Sequence, residues 1–304
     1  MAFSTGRSAV YSFVLHVATL SCIYALLALG LNLQAGFAGL LNFGFVAFAG
    51  VGAYASAIMS SLGYPAPVGL VLGVAVAMAV GFVMANLGRN LASDYWAIAT
   101  LAVAELIRTV ALNENWLTGG AQGISGVRPI IPTRSGAEND LAFLLLALVL
   151  TVIACFACHR LSRGRFGRAI RLMREEPELA TSLGYRLVPL KVKATMTSAA
   201  VASIGGSLLA HYMSFVGPDY MLASETFVVW TMVMIGGLGN NLGVVLGAFV
   251  VEAIYGAVPF VKDHLDISSD IAGAVRLGTI GCVLLACLLL RPGGIVPERI
   301  RSPQ

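Results

Sequence analysis

HRLSRGRFGRAIRLMREEPELATSLGYRLVPLKVK, residues 159–193, holds nine of the nineteen Lys and Arg residues of a 304-residue chain. Long apolar segments flank it on both sides. Cations beside membrane spans resist translocation, so a basic loop of this kind stays on the cytosolic face. Within it, residues 175–184 carry helix punctuation. Pro177 suits a first helical turn, where its missing N–H costs nothing. Glu175, Glu176 and Glu178 complement the positive end of a helix dipole. Gly184 can adopt the left-handed conformation that closes a helix. Leu179, Ala180 and Leu183 fall along one face. The residues alone allow two readings: a solvated connector, or a knob displayed for a groove on another protein.

In the whole chain 58% of the residues are hydrophobic and 11% are charged, against about 25% charged in soluble domains. Residues 8–88 contain no Asp, Glu, Lys or Arg, enough for about three spans of ~20 residues. The fold class is therefore all-α: a polytopic integral membrane protein with about eight to ten membrane helices and at least one possible broken or re-entrant segment. It forms one transmembrane domain, 1–304, with a cytosolic loop at 159–193 and an external loop at 113–140. The net charge of +4 comes mainly from the basic loop and reports orientation. A nucleic-acid binder needs a basic face with aromatic platforms, and the Arg run offers only Phe166 and Tyr185. The seven residues before the first apolar run carry one charge, and that run is too long for the core of a cleavable signal.

Spans are expected at 8–31, 45–59, 68–87, 95–112, 141–157, 194–213, 226–235, 244–258 and 271–290. Residues 32–44, NLQAGFAGLLNFG, interrupt the pattern with Gly36, Gly39 and Gly44. They form either an ordinary loop or a break in a helix, tolerated at membrane depth where protein or a water-filled cavity covers it. Asn32, Gln34 and Asn42 are candidates for polarity along a permeation route. Glu105 and Arg108 share a helix face inside the fourth span. They are either a self-neutralising structural pair or part of that route, as is Thr118 just beyond. Glu252 and Arg276 form a second expected intramembrane pair, read as glue between spans. Alternation from the basic loop places 114–140, 214–225 and 259–270 outside. It places 89–94, 159–193, 236–243 and the C-terminus inside, with the N-terminus outside if the first three segments all cross.

Two constellations carry a family resemblance. The acidic pair Glu175-Glu176, then Ala180, Leu183-Gly184 and the basic Lys191 and Lys193, resembles the cytosolic loop of branched-chain amino acid ABC-transporter permeases of the LivM-like type. The run Tyr95-Trp96 to Thr100-Leu101, Glu105-Leu106-Ile107-Arg108, Leu117-Thr118-Gly119-Gly120 and Gly123-Ile124 is similar to a second pattern of the same family. Gly236-Gly237, Gly239 and Gly243, and Arg291-Pro292, add to it. The resemblance runs from the Asn32 region to Arg291. It implies that Glu175, Glu176, Pro177, Ala180, Leu183 and Gly184 form a coupling helix seated on an ATPase. It further implies uptake of leucine, isoleucine and valine across a bacterial inner membrane. The implied partners are a homologous second permease subunit, two cytosolic ATPase subunits and a periplasmic solute-binding protein. An ABC permease for urea, short amides or other amino acids stays open. So does a secondary transporter, for which only Glu105 and Glu252 could serve as coupling groups.

Other signals are set aside. No G-x-x-x-x-G-K-[ST] loop occurs, so the chain does not bind ATP in the P-loop manner and is read as a transport subunit, not an enzyme. Cys155, Cys158 and His159 match C-x-x-C-H, but haem attachment belongs to the oxidising side and this copy lies at a cytosolic end. His16, His159, His211 and His264 form no spaced metal cluster. No cofactor is expected, and the five cysteines imply no disulfide framework.

Overall fold

A computed structural model describes residues 2–89, 91, 93–131, 136–265, 269–290 and 293–297. Twelve helices make up almost all of it: α1 (Ala2–Leu31), α2 (Val46–Ser61), α3 (Ala66–Leu87), α4 (Ser93–Asn113), α5 (Asn115–Thr118), α6 (Gly136–Arg163), α7 (Arg165–Glu175), α8 (Pro177–Ser182), α9 (Leu187–Met213), α10 (Ala223–Gly236), α11 (Asn241–Leu265) and α12 (Ser269–Leu290). Nine of them correspond to the nine expected spans. Among the described residues, four apolar stretches are long enough to cross a bilayer by themselves: Tyr11–Phe37, Ala66–Leu87, Tyr95–Asn113 and Asn139–Arg163. The chain is a multi-pass membrane protein.

The centre of the bundle is α1, α2, α3 and α9, held together by small residues. A Cβ on Gly206 of α9 would collide with the Ala49 carbonyl of α2, and one on Gly52 of α2 with Ser203 of α9. One on Gly30 of α1 would lie 2.9 Å from the Ser198 carbonyl oxygen. In lipid there is no hydrophobic drive between helices, so such backbone approach supplies the packing attraction. Replacing Gly206 by Val should force α2 and α9 apart at a cost of about 1–3 kcal/mol or more. A lower thermal midpoint of the detergent-solubilised protein is the expected readout.

The α2 and α10 helices have 16 and 14 residues, short of the ~20 that a full crossing takes. Both are largely buried, so other helices of the chain cover most of their length. By contrast, α3 and α6 show long apolar faces, including Val71, Val83, Val152 and Phe156, each more than half exposed. Apolar faces of that kind suit contact with lipid tails.

Residues 32–44 resolve into neither a plain loop nor a simple break. Helix α1 continues through Asn32–Phe37 as a π-helix, every residue of it buried, and the chain then turns into α2. Helix α7 is an element the sequence reading did not foresee. At the opposite end of the bundle, Ile124 pairs with Val216 and Ser125 with Phe215 in a two-residue antiparallel bridge, β1 (Ile124–Ser125) with β2 (Phe215–Val216).

Candidate functional site

Helix α8 is built as its sequence suggests. Pro177 occupies its first turn. After it, Tyr185 N–H donates to the Ala180 carbonyl at 3.0 Å and Gly184 N–H to the Thr181 carbonyl at 2.9 Å. These two bonds are the Schellman closure, which needs a left-handed residue, and Gly184 has φ +83°. A Cβ on Gly184 would meet nothing within 4 Å, so backbone conformation alone sets the requirement for glycine.

The apolar residues of α8 and Leu183, its C-cap, divide. Leu179 and Leu183 are 48% and 63% exposed, while Ala180 is fully buried. Residues 179 and 183 stack one turn apart, whereas 180 is rotated by one helical step toward the protein. Ala180 therefore anchors α8 to the rest of the chain, and the outward surface is Leu179 and Leu183 rimmed by the exposed Glu175, Glu176 and Glu178. Lys191, in the first turns of α9 and before its membrane span, is partly buried, and burial holds its ammonium below the usual lysine value.

Helix α7 joins this knob to the bundle. Ile170 and Met173 are buried in one cluster with Leu33, Phe37, Leu40 and Trp96. The Arg171 guanidinium lies 4.9 Å from the centre of the Phe37 ring. Arg174 donates through Nη1 to the Gly36 carbonyl and through Nη2 to Glu175 Oε1 at 3.0 Å. Both arginines thus bear on the π-helical segment, a geometry often found at functional positions.

That segment holds a buried polar network. Asn32 Nδ2 donates to Asn241 Oδ1 at 2.9 Å, and Asn32 Oδ1 accepts from Gly239 N–H at 2.9 Å. Gln34 Oε1 accepts from Ser198 Oγ at 3.1 Å and Asn42 Nδ2 at 3.3 Å, and Gln34 Nε2 donates to Thr195 Oγ1 at 3.3 Å. Trp230 Nε1 donates to the Asn42 carbonyl at 3.0 Å. Asn32, Gln34 and Asn42 are fully buried, so in this conformation their polarity is turned to one another and to α9, α10 and α11. Asn32→Leu should orphan the Gly239 N–H and the Asn241 side chain at about 1–3 kcal/mol each, measurable as a fall in thermal midpoint.

The remaining candidates lie elsewhere. Thr118 is buried and closes the turn after α4, its Oγ donating to the Ala111 and Glu114 carbonyls at 2.7 and 2.8 Å. Glu105 and Arg108 pair on the outer face of α4, Nη2 to Oε1 at 2.5 Å. Glu252 is buried in α11; the side chain of Arg276 lies outside the described residues. Among the described residues no group of His, Cys, Asp or Glu could hold a metal ion.

Residues 13–284 match the family described as branched-chain amino acid transport system / permease component. Over 92% of its length the chain is 31% identical to the high-affinity branched-chain amino acid transport system permease protein LivM of Escherichia coli, covering 69% of that protein. The LivM of Salmonella typhimurium is 30% identical over the same shares. The LivH permease protein of Salmonella typhimurium is 24% identical over 91% of this chain and 92% of its own length. No solved structure matches the chain.

Proposed function

The chain belongs to the family of branched-chain amino acid transport system permease components, and from that premise we propose that it is one membrane subunit of an ABC importer for leucine, isoleucine and valine. It lies in the bacterial inner membrane beside a homologous second permease subunit. Two separate ATPase subunits sit on α8 at the cytosolic face. A periplasmic solute-binding protein delivers the amino acid at the opposite end, on the external segment expected at 113–140, of which Asn115–Thr118 and Gly136–Asp140 are helical.

The observation that carries this reading is the outward Leu179–Leu183 surface on a helix joined through α7 to the helix bundle. Leu179 and Leu183 would fill an apolar cleft of the ATPase, with Glu175, Glu176 and Glu178 at its rim. Ala180, Pro177 and Gly184 fix the shape of the knob. Motion of α8 then passes through α7, Arg171 and Arg174 to the π-helical segment, and from Asn32 and Gln34 to α9 and α11. ATP-bound and ATP-free ATPases would favour different permease conformations, and that difference in affinity drives alternating access. Glu252 and Arg276 are proposed as a structural pair.

The test is uptake by proteoliposomes holding the assembled complex and its binding protein. ATP-dependent accumulation of labelled leucine is expected. Accumulation of urea or a short amide in place of leucine, isoleucine and valine would redirect the substrate assignment, and accumulation without ATP would refute the ABC reading.

A further inference from the structure

The exposed face of α4 differs from those of α3 and α6. On α3, and on α6 between Leu141 and Ala157, the outward residues are apolar. On α4, Ile98, Leu106 and Val110 are each more than half exposed, and Glu105 and Thr109 are exposed between them. Glu105 and Arg108 meet through two donors, Nε to Oε2 at 2.9 Å and Nη2 to Oε1 at 2.5 Å, with side chains 53% and 21% accessible. Glu105 stands twelve residues after Ser93 and eight before Asn113, so about 18 and 12 Å from the ends of the helix. That depth lies inside the hydrocarbon layer of about 30 Å. Charged groups there face a cavity or another protein, not lipid tails.

We propose that this face of α4 borders the water-filled path between the two permease subunits, and that Glu105 and Arg108 read the zwitterionic end of the amino acid as it passes. The pair offers one carboxylate and one guanidinium side by side. That complements an α-ammonium and an α-carboxylate, leaving an aliphatic side chain against Ile98 and Leu106. Exposure matters here: a buried pair would be sealed, whereas this one can exchange its internal bonds for bonds to the passing solute. The inference rests on the importer reading above and assigns that importer its solute-contacting residues.

Two measurements on the assembled complex test it. The double variant Glu105→Gln/Arg108→Gln should lower leucine uptake at saturating binding protein by about 10- to 100-fold, the worth of hydrogen bonds to charged groups. ATP hydrolysis and thermal midpoint should stay as in the parent. In a background lacking native cysteines, Thr109→Cys should react with a small charged methanethiosulfonate from water and be protected by leucine-loaded binding protein during turnover. Val152→Cys on α6 should not react. Undiminished uptake by the double variant, or a Cys at 109 that reacts only with a lipid-soluble reagent, would overturn the assignment. Failure of the importer reading itself would appear differently, as absence of ATP-dependent leucine uptake in the unmodified complex. Should the double variant fail to assemble, the reactivity at 109 in an otherwise parental chain decides the question.

Discussion

Leu183→Asp should leave the permease folded and stop it from using ATP. Leu183 is 63% exposed and one residue from the end of α8, where surface substitutions usually shift stability by no more than about 0.5 kcal/mol. The purified subunit should therefore keep its thermal midpoint. In the docked complex the same change would place a carboxylate in an apolar cleft beside Glu175, Glu176 and Glu178. Losing an anchor residue of that kind typically costs about 2 kcal/mol or more, and the buried, unpaired charge adds to it. Co-purification of the ATPase should fail, and ATP-driven uptake should fall at least about tenfold. A Leu183→Met variant, which keeps an apolar side chain of similar volume, should retain most of both. Equal loss in both variants would mean that α8 is only a connector.

The second large effect is expected at Arg174. Its guanidinium bonds the Gly36 carbonyl, and its aliphatic stem covers Gly39, whose Cβ would lie 2.6 Å from Arg174 Cγ. Arg174→Ala removes both the charged donor and the cover. A hydrogen bond to a charged group is worth about 1.5–3 kcal/mol, so the joint between α7 and the π-helical segment loosens while α8 itself is untouched. The ATPase should still bind and hydrolyse ATP, and leucine carried per ATP should drop about tenfold or more. Arg174→Lys should recover only part, because a lysine keeps the charge but not the planar fork. Unchanged uptake per ATP in Arg174→Ala would remove this joint from the route of coupling.

How far the sequence could lead differs from element to element. The nine apolar helices were legible because uncharged runs between polar breaks are what a bilayer selects; that α2 and α10 have only 16 and 14 residues was not, because their cover comes from the surrounding protein. Pro177 and Gly184 were legible because each answers a local backbone requirement. Helix α7 could have been found: Phe166, Ala169, Ile170 and Met173 alternate with Arg165, Arg168, Arg171 and Arg174 at helical spacing, but the density of charge drew the reading to orientation alone. The π-helix could not. Gly36 and Gly39 read locally as breakers, and what keeps the helix going is cover from far away, Gly36 against Gly239 and Asn32 bonded to Asn241, 209 positions along the chain. For the same reason the polarity of Asn32, Gln34 and Asn42 was visible but its use was not. Glu105 and Arg108 were paired by their spacing, while the exposure that gives the pair its interest belongs to the packing of α4. Ala180 is the finest case: one helical step separates an outward residue from an anchor, and only the fold decides which is which.

The most direct test is the sidedness of α8. With native cysteines replaced, Leu183→Cys should resist a membrane-impermeant maleimide in intact cells. It should react in inverted membrane vesicles stripped of ATPase and become protected when the ATPase is added back. Labelling of Cys at 183 in intact cells would put the knob on the wrong side of the membrane, beyond reach of any cytosolic motor.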